Sequence, residues 1–187
     1  MSLTQSFWRP IATCACALTL LATPAMAATK ASTPLVEVGQ VLPDVAMSGL
    51  NGPNRTLSSY RGRPLIINVW ASWCGPCRKE AASLERLARS EAGRRYTVIG
   101  ISTDDARSAA LKWLSHSNAT ISHYIDSAPH WMLEHMLGAS SIPVTVLVDA
   151  DGRVVARFRG ARDWDSAESI QLIKRAFAGG GRSAPAR

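Results

Sequence analysis

The chain has 187 residues, of which 47% are hydrophobic, and this suits one globular domain with a full core plus an appendage. Its formal charge at pH 7 is +7. The basic residues are scattered and form no stripe interleaved with aromatic residues, so we expect no nucleic-acid partner.

The first 27 residues have the composition of an export signal. Arg9 precedes an apolar stretch from Ile11 to Leu21, and a run of small residues ends at Ala27. The stretch is shorter than the roughly 20 residues that a membrane-spanning helix needs, so we predict cleavage after Ala27. An uncleaved membrane anchor is the alternative. Either outcome places the protein in the periplasm or cell envelope.

Cleavage would leave two of the four cysteines. Cys14 and Cys16 would be lost with the signal, whereas Cys74 and Cys77 would remain. The only charged residue lost would be Arg9, so the formal charge would fall from +7 to +6. An exported chain without further thiols has no structural disulfide framework, and both remaining cysteines are therefore free for exchange chemistry.

The mature chain is expected to fold as one domain over residues 38–178. Residues 28–37 form a polar, proline-containing lead and residues 179–187 a glycine-rich tail, and we expect both to be flexible. The first predicted element is a hairpin within Asp44 to Leu57, with its turn at Gly49 to Asn54.

A buried strand over Pro64 to Trp70 leads into a two-cysteine motif, Cys74-Gly75-Pro76-Cys77, at which a helix begins. We expect the sulfur of Cys74 to face solvent as the attacking group and that of Cys77 to be covered as the resolving group. The free N–H groups of the first helical turn favour the Cys74 thiolate, which lowers its pKa. Pro76 suits this turn because its missing N–H costs no hydrogen bond there.

The rest of the domain alternates strands and helices. The predicted elements are a strand over 96–102, a helix capped by Asp104 or Asp105, a short helix over 130–137 stopped by Gly138, a strand over 144–148, an edge or half-exposed strand over 153–158 and a helix from an Asp165 cap to about Phe177. This alternation predicts an α/β fold with a central mixed β-sheet flanked by helices.

These motifs together give the chain a family resemblance. They occupy residues 39–44, 57–62, 68–80, 142–149 and 151–152. In this set the chain resembles the thioredoxin superfamily, and more closely its exported TlpA/ResA-like branch, which includes the CcmG-type proteins of cytochrome c maturation. The resemblance spans Val38 to about Ala178. It implies a thioredoxin-like fold with the hairpin as an N-terminal extension.

The resemblance also implies a substrate-binding face. Pro143 corresponds to the cis-proline that faces the disulfide, and Ile142 would present backbone groups to an extended substrate. Trp73 would flank the attacking sulfur and help to form the contact face. From the residues alone, a trans proline that begins a strand is an equal alternative for Pro143.

Glu80 is implied as the base for the resolving thiol. Ordinary thioredoxins carry a buried aspartate six positions before the first cysteine, but this chain has Asn68 there, which cannot titrate. The TlpA/ResA-like branch carries a functional glutamate at the position of Glu80, three residues after Cys77. The alternative is a solvated carboxylate that stabilises the first helical turn.

The dipeptide between the cysteines indicates the direction of electron flow. Gly75-Pro76 is typical of reducing thioredoxins, whose potential is about −270 mV, so we predict a reductase of protein disulfides. An exported reductase needs a membrane thiol electron donor, of the DsbD or CcdA type, and the resemblance favours apocytochrome c as substrate. We expect a monomer without a cofactor. The alternatives are a disulfide oxidant or isomerase and a copper-binding chaperone module.

Two further classes of function are not supported by the sequence. His116, His123, His130 and His135 match no standard ligand spacing, and one cysteine pair supplies half of a tetrahedral zinc site, so we expect no metal. Peroxiredoxins place a threonine three residues before the reactive cysteine, where this chain has Ala71.

Overall fold

A computed structural model describes residues 35–126 and 132–179. The strands are β1 (Ala46–Gly49), β2 (Arg55–Thr56), β3 (Leu65–Trp70), β4 (Thr97–Ser102), β5 (Ser122–Ile125), β6 (Val144–Val148) and β7 (Val154–Arg159). The helices are α1 (Gly75–Arg89), α2 (Arg107–Ser117), α3 (Met132–Met136) and α4 (Ala167–Ala178). Short 3₁₀ turns span Leu57–Tyr60 and Gly93–Arg95.

These strands form one mixed sheet in the order β2-β1-β5-β4-β3-β6-β7. The central strands β3, β4 and β5 run parallel, while β6 and β7 on one side and β1 on the other pair antiparallel to their neighbours. The predicted thioredoxin-like fold is confirmed. The hairpin of β1 and β2 is also confirmed, and β7 lies at the sheet edge as predicted.

Every residue of β3 is buried, because both faces of the sheet are covered at its centre. Ile66 packs in a cluster with residues of α1 and α4, whereas Ile67 and Val69 pack in a cluster with residues of α3 and of the N-terminal segment. Successive side chains point to opposite faces, so Trp70 lies on the face of Ile66, where it packs with the cysteines and α2. The strand thus places the cysteine motif on the face of the sheet that α1, α2 and α4 cover.

The structure corrects two predicted helix caps. Helix α2 follows Ala106, which makes no side-chain cap bond, and Asp104 instead points back toward the cysteine motif. Helix α4 is capped by Ser166, whose Oγ accepts the N–H of Ser169 at 3.2 Å. Asp165 pairs with Arg86 of α1 instead. In both cases the aspartate binds a residue distant in sequence and not the helix N-terminus.

The ordered domain begins earlier than predicted. Val36, assigned to the flexible lead, is 8% exposed, and its N–H donates to the Met136 carbonyl at 3.0 Å. The guanidinium of Arg157 donates to the Val36 carbonyl at 2.6 Å. These contacts to distant residues could not be read from the polar composition of the segment.

Strand β5 was not predicted. It is four residues long and begins with Ser122 and His123, so it lacks the apolar run of the other central strands. The predicted signal, its cleavage site, most of the lead and His130 lie outside the described residues, as does the tail beyond Gly179. Within residues 35–126 and 132–179, no helix is both long and apolar enough to span a bilayer.

Candidate active site

The two cysteines lie at the start of α1 and form a disulfide, with their Cα atoms 5.3 Å apart. Cys74 is the N-cap of the helix, and its Sγ accepts the backbone N–H of Cys77 at 3.2 Å. Pro76 lies in the first turn, as predicted. In the reduced state the same N–H would stabilise a thiolate on Cys74, because an amide dipole aimed at sulfur favours its anionic form.

Cys74 was predicted to face solvent, but it is buried, as Cys77 was predicted to be. Cys74 is 4% exposed and Cys77 is 2% exposed, so the difference between attacking and resolving positions is slight. The pair packs against Trp70, Ala110 of α2 and other apolar residues, and this cluster encloses both side chains. By contrast, Trp73, immediately before the first cysteine, is 68% exposed.

The segment before β6 closes over the cysteine pair. The Ile142–Pro143 peptide bond is cis. The carbonyl oxygen of Ile142 lies 3.9 Å from the Cys74 Sγ. The structure therefore brings together Cys74 and Ile142, two of the residues that the sequence singled out from segments 68 positions apart.

Glu80 lies one turn after Cys77 on α1 and is 2% exposed. Its Oε1 accepts a bond from Asn68 Nδ2 at 2.8 Å. Its Oε2 accepts two bonds of 3.0 Å, from the backbone N–H of Arg162 and from Trp164 Nε1. The alternative of a solvated carboxylate is therefore wrong.

The environment of Glu80 favours its protonated form. Burial raises the pKa of Glu80, and the bonds from Arg162, Asn68 and Trp164 oppose this shift without cancelling it. Because its pKa lies above the ordinary value, the Glu80 carboxylate is a stronger base than that of an exposed glutamate, and this suits a group that takes a proton from a thiol.

Sequence reasoning missed the partners that hold Glu80. Trp164 is fully buried, and its indole N–H donates to the carboxylate. Ser83 of α1 holds the same loop by accepting the Trp164 N–H at 3.0 Å. Thr145 of β6 accepts the second bond from Asn68 Nδ2, at 3.0 Å. These residues lie far apart along the chain, and nothing in their local sequence indicates a shared carboxylate.

His123 lies on the same face of the sheet, opposite Gly100 of β4. It is 6% exposed, and burial lowers its pKa to about 4, so the ring is neutral at pH 7. Its ring meets that of Trp70 edge-on at 5.3 Å. Across residues 35–126 and 132–179, no group of three or more His, Cys, Asp or Glu side chains could hold a metal ion.

A model of the AhpC/TSA family matches residues 38–163. The chain belongs to the AhpC/TSA family. This AhpC/TSA-family chain is similar in sequence to the thiol:disulfide interchange protein DsbE of Allochromatium vinosum, with 35% identity over 158 residues covering 81% of this chain and 82% of the relative. It is also similar to the thiol-disulfide oxidoreductase ResA of Bacillus thuringiensis, with 23% identity over 133 residues that cover 71% of this chain and 76% of ResA.

The fold of this AhpC/TSA-family chain is similar to that of a Chlorobium tepidum protein assigned as DsbE. The two superpose with a TM-score of 0.66 and 26% sequence identity, over 75% of this chain and 98% of the other. The predicted resemblance to thioredoxin-like proteins is confirmed. With its paired cysteines and these relatives, the chain is a thiol-disulfide oxidoreductase.

Proposed function

We propose that this oxidoreductase is exported and reduces disulfides in protein substrates, with apocytochrome c as the favoured substrate. The observation that carries the proposal is Glu80, a buried carboxyl group of raised pKa one turn after Cys77. A reductase must deprotonate its resolving thiol at each turnover, and a group of this kind supplies the base.

The reaction proceeds in two exchange steps. The Cys74 thiolate attacks one sulfur of the substrate disulfide, which forms a mixed disulfide and releases the other substrate sulfur as a thiolate. Cys77 then gives its proton to the Glu80 carboxylate and attacks the Cys74 sulfur. This forms the Cys74–Cys77 disulfide and releases the second substrate thiolate, so the two electrons pass to the substrate.

The surface beside the disulfide suits an extended substrate segment. A groove of about 670 Å³ is lined by Trp73, Thr103, Ile142 and neighbouring residues. We assign Trp73 as the apolar contact next to the attacking sulfur, and Ile142 with Pro143 as the segment whose backbone receives the substrate. The exposure of Trp73 supports this assignment, because a large aromatic side chain at an open position is typical of contact surfaces.

The oxidised protein must be reduced again after each turnover. In an oxidising compartment we infer a membrane thiol donor, of the DsbD or CcdA type, that engages the same cysteine pair. The names of the relatives, which include thiol:disulfide interchange proteins, support a disulfide as the substrate. We infer that the protein works as a monomer, since one chain carries both cysteines and Glu80.

A peptide containing an oxidised Cys-x-x-Cys-His segment tests this function. Reduced protein mixed with the oxidised peptide should yield reduced peptide and oxidised protein, measured by acid quenching and mass spectrometry. Cys77→Ser should accumulate a mixed disulfide through Cys74, because the resolving thiol is missing. Glu80→Gln should lengthen the lifetime of the mixed disulfide about 100-fold, the lower range for a lost general base.

The control is Cys74→Ser, which keeps the second thiol and should form no mixed disulfide. The reverse mixture, of oxidised protein with reduced peptide, reports on the opposing function. If electrons flow mainly from peptide to protein, the protein is a disulfide oxidant and the proposal is wrong.

A further inference from the structure

A tight turn carries the chain from β3 to the attacking cysteine. It spans residues 71–74 and is closed by the Cys74 N–H, which donates to the Ala71 carbonyl at 3.1 Å. The two residues inside the turn are Ser72 and the exposed Trp73. The geometry of this turn therefore decides where the Cys74 sulfur and the Trp73 ring lie.

Asp104, just after β4, holds this turn from inside the protein. It is 1% exposed. Its Oδ2 accepts the backbone N–H of Ser72 at 3.0 Å, and its Oδ1 accepts the Ser72 hydroxyl at 2.6 Å. Both bonds reach one residue of the turn, so they fix its position and its orientation together.

Asp104 is itself held in place by the end of β4. The Ser102 hydroxyl donates to Asp104 Oδ2 at 2.7 Å and accepts the Asp104 N–H at 3.1 Å. The neighbouring Thr103 N–H donates to the Trp70 carbonyl at 2.9 Å, which joins the ends of β3 and β4. The carboxylate thus connects a rigid strand end to the turn that carries the cysteine.

We propose that Asp104 is a positioning residue for the Cys74 thiolate. By fixing Ser72 it keeps the Cys74 sulfur at the N-cap of α1, where it accepts the Cys77 N–H. A looser turn weakens this N–H···S interaction, which stabilises the thiolate more than the thiol. Loss of Asp104 therefore raises the pKa of Cys74 and makes the reduction potential of the pair more negative.

The test compares three variants of the full-length protein. Ser72→Ala removes the hydroxyl bond but keeps the charge of Asp104, and Asp104→Asn places an amide NH₂ against the donors of Ser72 or Ser102. The matched control is Glu85→Gln. Glu85 is another buried carboxylate, 8% exposed, which accepts the N–H groups of Thr120 and Ile121.

The measurement is the pH profile of Cys74 alkylation in the reduced proteins, with the thermal midpoint of unfolding recorded beside it. Ser72→Ala and Asp104→Asn should both move the alkylation profile to higher pH. At pH values below the pKa of Cys74, both variants should be alkylated about threefold to tenfold more slowly than the wild type. Glu85→Gln should lower the thermal midpoint of unfolding without moving the profile.

Two outcomes would overturn the proposal. Unchanged profiles for Ser72→Ala and Asp104→Asn would mean that Asp104 serves folding alone. A shift of the Asp104→Asn profile to lower pH would mean that its charge repels the thiolate and that it does not position Cys74. If Asp104→Asn does not fold, Ser72→Ala decides: a shift to higher pH supports positioning, and no shift contradicts it.

Discussion

At the scale of single residues, Glu80 differs most from what its place in the sequence suggests. A glutamate in the first turns of a helix is ordinarily solvated, yet here it accepts bonds from Asn68 of β3 and from Arg162 and Trp164 of the loop before α4. These three bonds come from neutral groups, and together with the charge of Arg162 they do not offset the burial of the carboxylate. The raised pKa of Glu80 follows from that imbalance.

This environment predicts a pH-dependent difference in stability between the wild type and Glu80→Gln. The pKa of Glu80 is higher in the folded protein than the ordinary glutamate value of 4.5, which applies to the unfolded chain. The stabilisation from proton binding is fully present below pH 4.5 and is lost as the pH rises through the folded pKa. With the disulfide intact, the wild type should therefore lose free energy of unfolding relative to the variant between acid and neutral pH. Each unit of difference between the two pKa values corresponds to about 1.4 kcal/mol.

Denaturant unfolding of both proteins at a series of pH values measures this difference. Glutamine suits the comparison because Asn68 can turn its amide, so that its oxygen accepts from the new NH₂ group. A stability difference that stays constant with pH would contradict the raised pKa of Glu80.

The residue scale also separates what the sequence could indicate about the site from what it could not. Cys74, Cys77 and Glu80 could be found because their spacing on one helix is local. Trp164 and Thr145 could not, since they reach the site only through the order of strands and loops in the folded sheet. The prediction that Asp104 caps a helix was wrong, and its carboxylate binds Ser72 instead. A position two residues after a buried strand suits both a helix cap and a contact across the strand ends.

At the scale of elements, two adjacent residues at the start of α4 have different roles: Ser166 caps the helix, and Asp165 forms an ion pair. Ser166 accepts the N–H of Ser169 in the first turn of the helix, and Asp165 binds the guanidinium of Arg86 through two bonds, of 2.6 and 2.9 Å. Arg86 has a side chain 52% exposed, so solvent screens its interaction with Asp165.

Alanine substitutions at these two positions should therefore differ in effect. Ser166→Ala should lower the free energy of unfolding by about 1 kcal/mol, the usual loss for a removed N-cap. Asp165→Ala should lower it by less, and its effect should shrink in high salt. Urea unfolding at low and high salt concentrations checks both values. A larger and salt-independent loss for Asp165→Ala would restore the aspartate as the cap.

The elements that could be predicted share a physical reason. Strands β3, β4 and β6 are rich in apolar residues, because the centre of the sheet is buried on both faces. Strand β5 occupies a central position with only four residues, two of them polar, and it depends on pairing with β4 and β1. Its tertiary partners decide its conformation, and no local pattern indicates them.

At the scale of the whole molecule, the sheet order joins three separate segments at one edge. The carboxyl ends of β3 and β4 meet there, and the segment before β6 approaches from the other side. This arrangement places Cys77 and Ile142 beside the Cys74 sulfur, and Asp104 beside the turn that leads to Cys74. The fold could be predicted from the order of motifs along the chain, whereas the burial of Val36 and of Cys74 required the packed structure.

The central claim is that electrons flow from the cysteine pair to substrate disulfides, and the reduction potential of Cys74–Cys77 tests it most directly. Equilibration of the purified protein in dithiothreitol buffers, with thiol trapping and mass spectrometry, gives this value. If the protein is a reductase, its reduction potential should lie near that of thioredoxin, about −270 mV. A potential near −120 mV, that of a strong oxidant, would contradict the account and indicate disulfide formation as the function.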